Sequence, residues 1–379
     1  MVGYQTQVNP FVISGYEGAH YFCDRVEELK ILEREIANGC NVALVATRRM
    51  GKSGLIHHYF NLPSIQNQYY TFFIDIYDTQ SLRELVQKLS REILMRLKPY
   101  GARAMQRFWD TMRSLQPGIS FSPWGEPSFN VQIGDIQEGD ATLDEIFRYL
   151  ELADKPCLVA IDEFQQINHF PEKNIEAKLR TYVQQCHNAQ FIFSGSQRHT
   201  MSAMFMNASR PFYQSVSVMH LDCIDMAKYD VFAKSLFEEG HRTLADGVTE
   251  AVYEFSHGVT WYTQKLFNTL YADTREGTVC QVENVRVALD YIIKTQSYSY
   301  EEVLFRLPEK QKMVLIALAK NGPTKSVTSS AFVKKYSLQS ASTVQSALRG
   351  LLEKDFVTLE QGTYKVYDTF MAYWLQRHY

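Results

Sequence analysis

Short apolar runs alternate with amphipathic segments over the first part of the chain, as far as Leu221. The runs are rich in β-branched and aromatic residues, and the segments between them repeat apolar residues at helical spacing. This alternation is typical of βαβ units, in which helices cover both faces of a parallel sheet, so an α/β fold is predicted. Strands are predicted at Val42 to Val45, Tyr69 to Tyr77, Gln190 to Phe193 and Ser215 to Leu221. A further strand is predicted within Cys157 to Gln165, where the apolar run ends at Asp162-Glu163.

Helices and an insertion separate these strands. An amphipathic helix is predicted from Val26 to Ala37, with further helices at Ser81 to Leu97 and Arg103 to Leu115. The segment 116–139 is rich in Pro and Gly, and apolar residues alternate on either side of SPWGEP, which predicts an inserted β-hairpin. Its Trp124 has two interpretations: it clamps a partner, or it packs within an edge hairpin.

The remaining chain divides into two parts. From Asp225 to Lys294 the apolar and aromatic residues recur at helical spacing, which predicts a helical domain whose aromatic stripes form its core. Beyond residue 298, three helices followed by two short strands predict a winged helix-turn-helix. Those elements are expected at Glu309 to Lys320, Ser329 to Tyr336, Ser340 to Glu353, Phe356 to Leu359 and Tyr364 to Val366. The predicted domains are therefore 1–222, 223–298 and 299–379.

Composition limits the class of protein. With 379 residues and 45% hydrophobic content, the chain is long enough for two or three domains with large cores. A formal net charge of −3 argues against a generally basic nucleic-acid binder but allows a local basic patch. The six cysteines contain no CxxC pair, which favours free buried thiols over a zinc site. With no leader-like N-terminus and no apolar run long enough for a membrane, we expect a cytoplasmic, soluble protein.

A phosphate-binding loop is predicted where the first strand meets a helix. Gly51, Lys52 and Ser53 follow the apolar run, and apolar residues then recur at helical spacing. Successive backbone N–H groups and the helix N-terminus favour a di- or triphosphate there. Lys52 is expected to reach the β- and γ-phosphates, and Ser53 to ligate Mg²⁺. The residues expected to contact the nucleotide are Ala46, Thr47, Arg48, Arg49, Met50, Gly51, Lys52, Ser53 and Gly54.

One position departs from the G-x-x-x-x-G-K-[ST] pattern, because Ala46 stands where the first glycine is usual. If that position requires a positive φ, the Cβ costs roughly 1–2 kcal/mol. The alternative is a chance Gly-Lys-Ser in a loop, which the placement between a strand and a helix disfavours.

Two carboxylates follow the apolar run Cys157 to Ile161. In phosphate-loop nucleoside triphosphatases a strand-end Asp holds Mg²⁺, and an adjacent Glu deprotonates the attacking water. Asp162 is accordingly the candidate metal residue and Glu163 the candidate catalytic base. The alternative is an ordinary strand with an acidic turn, and the presence of Lys52 and Ser53 favours the functional interpretation.

Polar residues also end the fourth predicted strand, where Ser196 or Gln197 is a candidate sensor of the γ-phosphate. A simple polar turn is the alternative. Arg198 and Arg210, just beyond, are candidates for stabilising transferred charge, or else surface or ion-pair residues. Arg48 and Arg49 precede the Gly-Lys pair, and we expect them to point outward.

The third helix of the winged helix-turn-helix has a polar face that is a candidate for entering a DNA groove. Nearby lysines are candidate phosphate contacts. Since this helix carries a single cation, a protein-docking role is an equal alternative. The face comprises Ser342, Thr343, Gln345, Ser346 and Arg349, and the lysines are Lys325, Lys334, Lys335, Lys354 and Lys365.

Taken together, these motifs resemble the archaeal-type ATPase family within the AAA+ and STAND groups of P-loop ATPases. The resemblance covers nearly the whole chain and is carried most specifically by ATRRMGKS and IDEFQ. Supporting matches are Asn9-Pro10-Phe11, Phe22-Cys23-Asp24-Arg25, SGSQRHTM and Arg210-Pro211-Phe212-Tyr213.

The resemblance implies an ASCE sheet with strand order 5-1-4-3-2, a helical lid and a C-terminal winged helix. It also implies that Phe22 and Arg25 border the adenine. An arginine finger is implied to come from an adjacent subunit of a homo-oligomer, and Arg198 and Arg210 are the candidates. Gly258-Val259-Thr260 departs from the family, which places a Gly-x-Pro or a sensor Arg there.

The function expected is that of an ATP-binding, slowly hydrolysing switch ATPase that uses ATP, ADP and Mg²⁺ and acts on a protein or duplex DNA partner. Catalysis is assigned to Glu163, Lys52, Ser196 and Arg210. Two alternatives remain: a DNA-binding regulator in which the nucleotide is a structural ligand, and a small-molecule kinase.

Overall fold

The computed structural model describes residues 9–97, 106, 110–114, 119–121, 127–129, 132, 136 and 138–379, with backbone only at 119–121 and 127–129. The described chain forms two compact units. The first, called the sheet unit here, comprises Val12–Tyr229 and Val259–Trp261. The second, called the helical unit, comprises residues 9–11, Asp230–Gly258 and Tyr262–Tyr379.

A parallel sheet forms the centre of the sheet unit. The strands of this unit are β1 (Val42–Val45), β2 (Tyr70–Asp75), β3 (Ile119–Phe121), β4 (Pro127–Phe129), β5 (Cys157–Asp162), β6 (Ala189–Gly195) and β7 (Ser217–His220). The sheet order is β2-β5-β6-β1-β7, and neighbouring strands are parallel. This is the order 5-1-4-3-2 when only the sheet strands are numbered, so the predicted topology is confirmed.

Helices cover both faces of this sheet. They are α1 (Val26–Ala37), α2 (Lys52–Phe60), α3 (Pro63–Gln68), α4 (Leu82–Arg96), α5 (Gly139–Glu151), α6 (Ile175–Gln185) and α7 (Arg198–Met206). Alternate residues of β1 enter different cores: Ala43 and Val45 join the cluster that includes α4 and α5 residues, whereas Val42 and Leu44 join the cluster that includes α1 and α2 residues. Burial on both faces explains the continuous apolar run.

Only part of the predicted insertion at 116–139 lies within the residues that the structure describes. Strands β3 and β4 pair in antiparallel fashion, with Ile119 opposite Phe129. Trp124 lies outside the described residues, as does most of the predicted helix from Arg103 to Leu115. The role of the hairpin therefore stays a prediction.

The helical unit begins with helices that enclose an aromatic core. They are α8 (Met226–Glu239), α9 (Val248–Ser256), α10 (Thr260–Asp273) and α11 (Val282–Arg306), and a two-residue parallel pair, β8 (Thr243–Leu244) and β9 (Val279–Cys280), accompanies them. Phe11 is fully buried there and stacks on Phe267 with ring centroids 5.3 Å apart. The aromatic stripe thus forms core, as its spacing indicates.

The winged helix lies in the same unit. It consists of α12 (Glu309–Asn321), α13 (Ser330–Lys335), α14 (Ala341–Glu353), β10 (Val357–Glu360), β11 (Thr363–Val366) and α15 (Thr369–His378). Strands β10 and β11 pair in antiparallel fashion as the wing. The domain boundary predicted near residue 298 falls inside α11, and Trp374 Nε1 of α15 donates to Ser297 Oγ of that helix at 2.8 Å.

The six cysteines all lie in the described part of the chain and form no disulfide, but only four of them are buried. Cys223 is exposed and Cys40 is half-buried, so the prediction of buried thiols is wrong for these two. Burial raises the pKa of Cys23 to about 12, which leaves it a protonated packing residue. In the described part of the chain, no helix has the length and apolar character needed to cross a membrane.

Candidate active site

The loop between β1 and α2 has a left-handed backbone at Arg49, with φ 69°, and at Gly51, with φ 88°. Ala46 is fully buried and is not among the residues with positive φ. The cost considered for an alanine at the usual first glycine therefore does not arise. Gly51 is where the loop needs glycine.

Lys52 is the first residue of α2 and is 5% exposed. Its Nζ donates to the backbone oxygens of Ala46 and Thr47, both at 3.3 Å, which is long for a hydrogen bond to an ammonium. Burial lowers the pKa of Lys52, while Glu163 and Asp162 act in the opposite direction. A buried ammonium with weak neutral partners fits an anionic ligand, as phosphate would be.

Ser53 and Asp162 meet although 109 positions separate them in the chain. The Ser53 hydroxyl donates to Asp162 Oδ2 at 2.6 Å, and the Ser194 hydroxyl donates to Oδ1. A hydroxyl beside a carboxylate is the oxygen-rich donor set that Mg²⁺ prefers, so these residues fit the ion. Ser194 was not among the predicted site residues; the signal for it was its place at the end of the strand next to β5.

Glu163 follows β5 directly and adopts a left-handed backbone with φ 56°. Its Oε2 accepts from the Ser196 hydroxyl at 2.6 Å, from the Ser196 backbone N–H at 3.3 Å and from Gln165 Nε2 at 2.5 Å. A strained backbone held by several contacts is a frequent property of functional residues. The two predicted catalytic residues Glu163 and Ser196 are thus in direct contact.

Gly195 makes this cluster possible. A Cβ placed at Gly195 would lie 2.3 Å from Gln165 Oε1 and 2.5 Å from Met201 Sδ, so these side chains would have to move. A larger residue at this position would therefore disturb the packing around Gln165, whose Nε2 donates to Glu163.

Arg48 does not point outward as predicted. It is half-buried, its Nε donates to the Ser196 hydroxyl at 3.2 Å, and its guanidinium lies over the Tyr77 ring at 5.5 Å. Ser196 therefore joins Arg48 of the loop to Glu163 of the neighbouring segment. The motif leaves this loop position unspecified, so the prediction of its direction rested only on its place before the Gly-Lys pair.

Residues 259–261, which belong to the sheet unit, bind the other side of the loop. The Trp261 N–H donates to the Arg49 oxygen at 3.0 Å, and the Thr260 hydroxyl donates to the Met50 oxygen at 3.1 Å. The Arg49 guanidinium lies 4.4 Å from the Trp261 ring centroid, a cation–π contact. These contacts occur at the place where the chain departs from the Gly-x-Pro of related ATPases.

The predicted adenine-side residues adjoin the same loop. Arg25 is 3% exposed and donates from Nη2 to the Met50 oxygen at 3.2 Å and from Nη1 to the Asp222 oxygen at 2.7 Å. Phe22 stacks on His58 of α2 with centroids 4.2 Å apart, and a Cβ at Gly54 would lie 3.7 Å from its ring. Their contact with adenine stays a prediction.

The other two predicted arginines have different surroundings. Arg210 forms an ion pair with Glu176 and donates to Asn168 Oδ1 at 2.6 Å. Arg198 is exposed at the first position of α7. The contacts of Arg210 thus anchor it to α6 and to the 3-10 helix Phe164–His169.

In the winged helix, the polar face of α14 is largely open. Ser342, Gln345, Ser346 and Arg349 are exposed, and Thr343 is half-buried. Lys334 and Lys335 at the end of α13 are exposed as well, whereas Lys365 is ion-paired with Glu360 at 3.0 Å. Exposed lysines are therefore available for phosphate contacts, but Lys365 is already engaged by Glu360.

Comparisons with known proteins agree with this architecture. Residues 298–377 match a family model described as "Probable winged helix domain". No curated protein sequence matches the chain. The Walker-type ATPase PABY2304 of Pyrococcus abyssi has a similar structure, with a TM-score of 0.65 and 18% identity over 97% of this chain and 99% of that one.

Two proteins of Aeropyrum pernix also have similar structures. The ORC2 protein, solved as ADPNP–ADP complexes, gives a TM-score of 0.58 at 12% identity over 98% of this chain and 96% of its own. The ORC1 protein, solved in complex with DNA, gives a TM-score of 0.53 at 12% identity, over 94% of this chain and 93% of its own. Sequence identities this low show that the folds are similar and do not show a shared function. The chain therefore has the P-loop ATPase fold with a C-terminal winged helix, and the predicted resemblance to archaeal ATPases holds at that level.

Proposed function

We propose that the protein binds ATP with Mg²⁺, hydrolyses it slowly and acts as a nucleotide-dependent switch on a protein or DNA partner. The observation that supports this best is the meeting of Lys52, Ser53, Asp162 and Glu163 at the carboxyl edge of the sheet. Ligands of open α/β sheets bind at that edge. The likeness to Walker-type and ADPNP-binding structures supports the same class of ligand.

The side chains divide the work by their chemistry. Lys52 offers a buried positive charge to the phosphates, and the loop amides with the α2 N-terminus add donors. Ser53 and Asp162 would hold Mg²⁺, which neutralises phosphate charge when bound. Glu163 is the base for the attacking water, and the donors on its Oε2 fix its orientation.

Positive charge for the transferred phosphoryl group comes, in this proposal, from Arg48. It is the arginine that contacts the Glu163 cluster through Ser196, whereas Arg210 is engaged by Glu176 and Asn168. This differs from a finger supplied in trans. A cis arginine is compatible with slow turnover by an isolated chain, as in some other nucleotide-hydrolysing switches.

The switch element is the segment 259–261. Because Trp261 and Thr260 bind the backbone oxygens of Arg49 and Met50, a rearrangement of the loop on binding phosphate would shift the start of α10. A differential contact of this kind is what a ligand-driven switch requires.

A DNA-binding regulator with a structural nucleotide is the second candidate. It is favoured by the exposed polar face of α14 beside Lys334 and Lys335, and by the likeness to a DNA-bound ORC1 structure. Turnover measured with and without duplex DNA separates it from the first.

Calorimetric titration of ATP with Mg²⁺ tests the proposal. Wild type and Lys30→Ala, which alters an exposed lysine of α1, should bind alike, whereas Lys52→Ala should lose binding while remaining folded. Equal affinity of wild type and Lys52→Ala would remove the phosphate-loop assignment.

A further inference from the structure

The long helix α11 carries large apolar side chains on its outer face. Phe305 is 90% exposed, Tyr298 78%, Val287 61% and Tyr291 57%. The opposite face is buried against α9 and α15 and includes Leu289, Ile292 and Ile293 among other apolar residues. A helix that is apolar on both faces is expected to be covered on both, and an exposed apolar stripe of this size marks an interaction surface.

The exposed residues form one narrow seam. Positions 287, 291, 294, 298, 302 and 305 follow one another at spacings of three and four. At 3.6 residues per turn they lie within an arc of about 80° on the helix surface. Lys294 and Glu302, both exposed, are the charged members of this seam. Such spacing is that of a helix which packs lengthwise along another helix.

The seam is complementary to itself in the antiparallel direction. Four positions before Tyr298 stands Lys294, and four positions after it stands Glu302. Seven positions before it stands Tyr291, and seven after it stands Phe305. A two-fold axis at Tyr298 would therefore place lysine against glutamate twice and aromatic ring against aromatic ring twice.

A parallel pairing in register would instead put Lys294 against its own copy and Glu302 against its own copy, which is repulsive. We infer that the outer face of α11 pairs antiparallel with the α11 of a second copy of this chain, with Tyr298 on the two-fold axis. Two-fold dimers use one self-complementary patch, and the seam has that property. The aromatic residues supply the buried area, and the Lys294–Glu302 pairs fix direction and register.

The charged residues that flank the seam follow the same two-fold symmetry but contribute less to association. Asp290 and Arg306 also lie eight positions from Tyr298 on either side. Within one chain Asp290 is ion-paired with Arg377 and Arg306 with Glu302. Exposed pairs of this kind contribute little, so the seam itself carries the association. Because one helix covers less than a standard interface of about 800 Å² per partner, we expect a dimer that dissociates on dilution.

Sedimentation velocity over a range of concentrations tests the dimer. Wild type should sediment as a dimer that dissociates on dilution, and Tyr298→Glu, which sets two carboxylates against each other on the axis, should be monomeric. Ser299→Glu, exposed but outside the seam, is the matched control and should remain dimeric. Circular dichroism checks that each variant is folded.

Charge exchange tests the register. Lys294→Glu and Glu302→Lys should each weaken the dimer by at least about 10-fold, and the double exchange should restore it. In a background of Cys40→Ser and Cys223→Ser, Tyr298→Cys should cross-link to its own copy, whereas Val287→Cys should not, because it faces residue 309 in this register. A monomeric wild type at high concentration, an unaffected Tyr298→Glu dimer, failed restoration or cross-linking at both cysteines would each overturn the inference.

Discussion

Arg48 in the phosphate loop lies with its Nε 3.2 Å from the hydroxyl of Ser196, at the end of a neighbouring strand. That hydroxyl donates in turn to Glu163, the residue to which we assign the base role. A cation from the loop is thereby fixed beside the carboxylate that faces the water nucleophile in our proposal. In our proposal, this contact supplies the positive charge for hydrolysis from within one chain.

Arg48→Ala should lower the turnover number by about 10²- to 10³-fold, the usual effect of removing one fixed donor to developing charge. Affinity for ATP should change little, because Lys52 and the loop amides remain. Steady-state kinetics with separate binding measurements check both parts. Arg34→Ala, at an exposed position of α1, is the control and should behave as wild type. Specific activity that rises with protein concentration and is lost in Arg210→Ala would instead support a finger from another subunit.

Ser196→Ala should reduce the turnover number by about 10- to 100-fold, because hydrogen bonds to a charged group are worth about 1.5–3 kcal/mol. The Michaelis constant should be unchanged if Ser196 positions Glu163 and does not bind ground-state ATP. Ser196→Thr retains the hydroxyl and should recover part of the rate. An alanine variant with full turnover would show that the contact is only structural.

Lys52→Met should stabilise the protein in the absence of nucleotide. Burial lowers the pKa of Lys52, so the folded state binds this proton less tightly than the unfolded chain does. The cost is present below the lowered pKa and disappears as pH rises past the ordinary value of about 10.4. We expect a melting temperature about 2–4 °C higher near neutral pH.

When thermal unfolding is measured across pH, the higher melting temperature of Lys52→Met should approach that of wild type as the solution becomes more alkaline. ATP should no longer raise the melting temperature of Lys52→Met. Lys30→Met, at an exposed position, should show neither effect. A destabilised Lys52→Met at neutral pH would contradict the electrostatic account of this lysine.

Duplex DNA should bind the winged helix weakly and with strong salt dependence, because lysines supply most of the contact and α14 offers one cation for base recognition. Replacing Lys334 and Lys335 with Ala should make the salt slope shallower by about two. The matched control replaces Lys30 and Lys173, which are exposed in the sheet unit. Absence of binding at low salt would leave the protein-docking interpretation of this domain.

The regular elements could be predicted well from the sequence. Helix α1 and strand β1 have their predicted bounds, since apolar period and turn residues are local signals. Helix α4 lies within the predicted range Ser81 to Leu97, and Ser81 caps it by accepting from the Glu84 N–H. The sheet order came from the resemblance, because the hydrophobic pattern alone does not specify which strands are neighbours.

The site was predictable in its motif residues and not in its supporting contacts. Lys52, Ser53, Asp162 and Glu163 stand in recognisable patterns, but the bonds from Ser194 to Asp162 and from Arg48 to Ser196 join segments that are far apart in the sequence. The left-handed backbone at Glu163 has no sequence signal, because it is imposed by tertiary contacts.

In our proposal, hydrolysis requires Glu163 as the base, and the rate of ATP hydrolysis in a single turnover measures its contribution. Glu163→Gln preserves size and hydrogen bonding but cannot accept the proton of water. We predict unchanged ATP and Mg²⁺ binding with hydrolysis slowed about 10²- to 10⁴-fold. Equal single-turnover rates for wild type and Glu163→Gln, with ATP bound to both, would contradict the assignment of this cluster as an ATP-hydrolysing site.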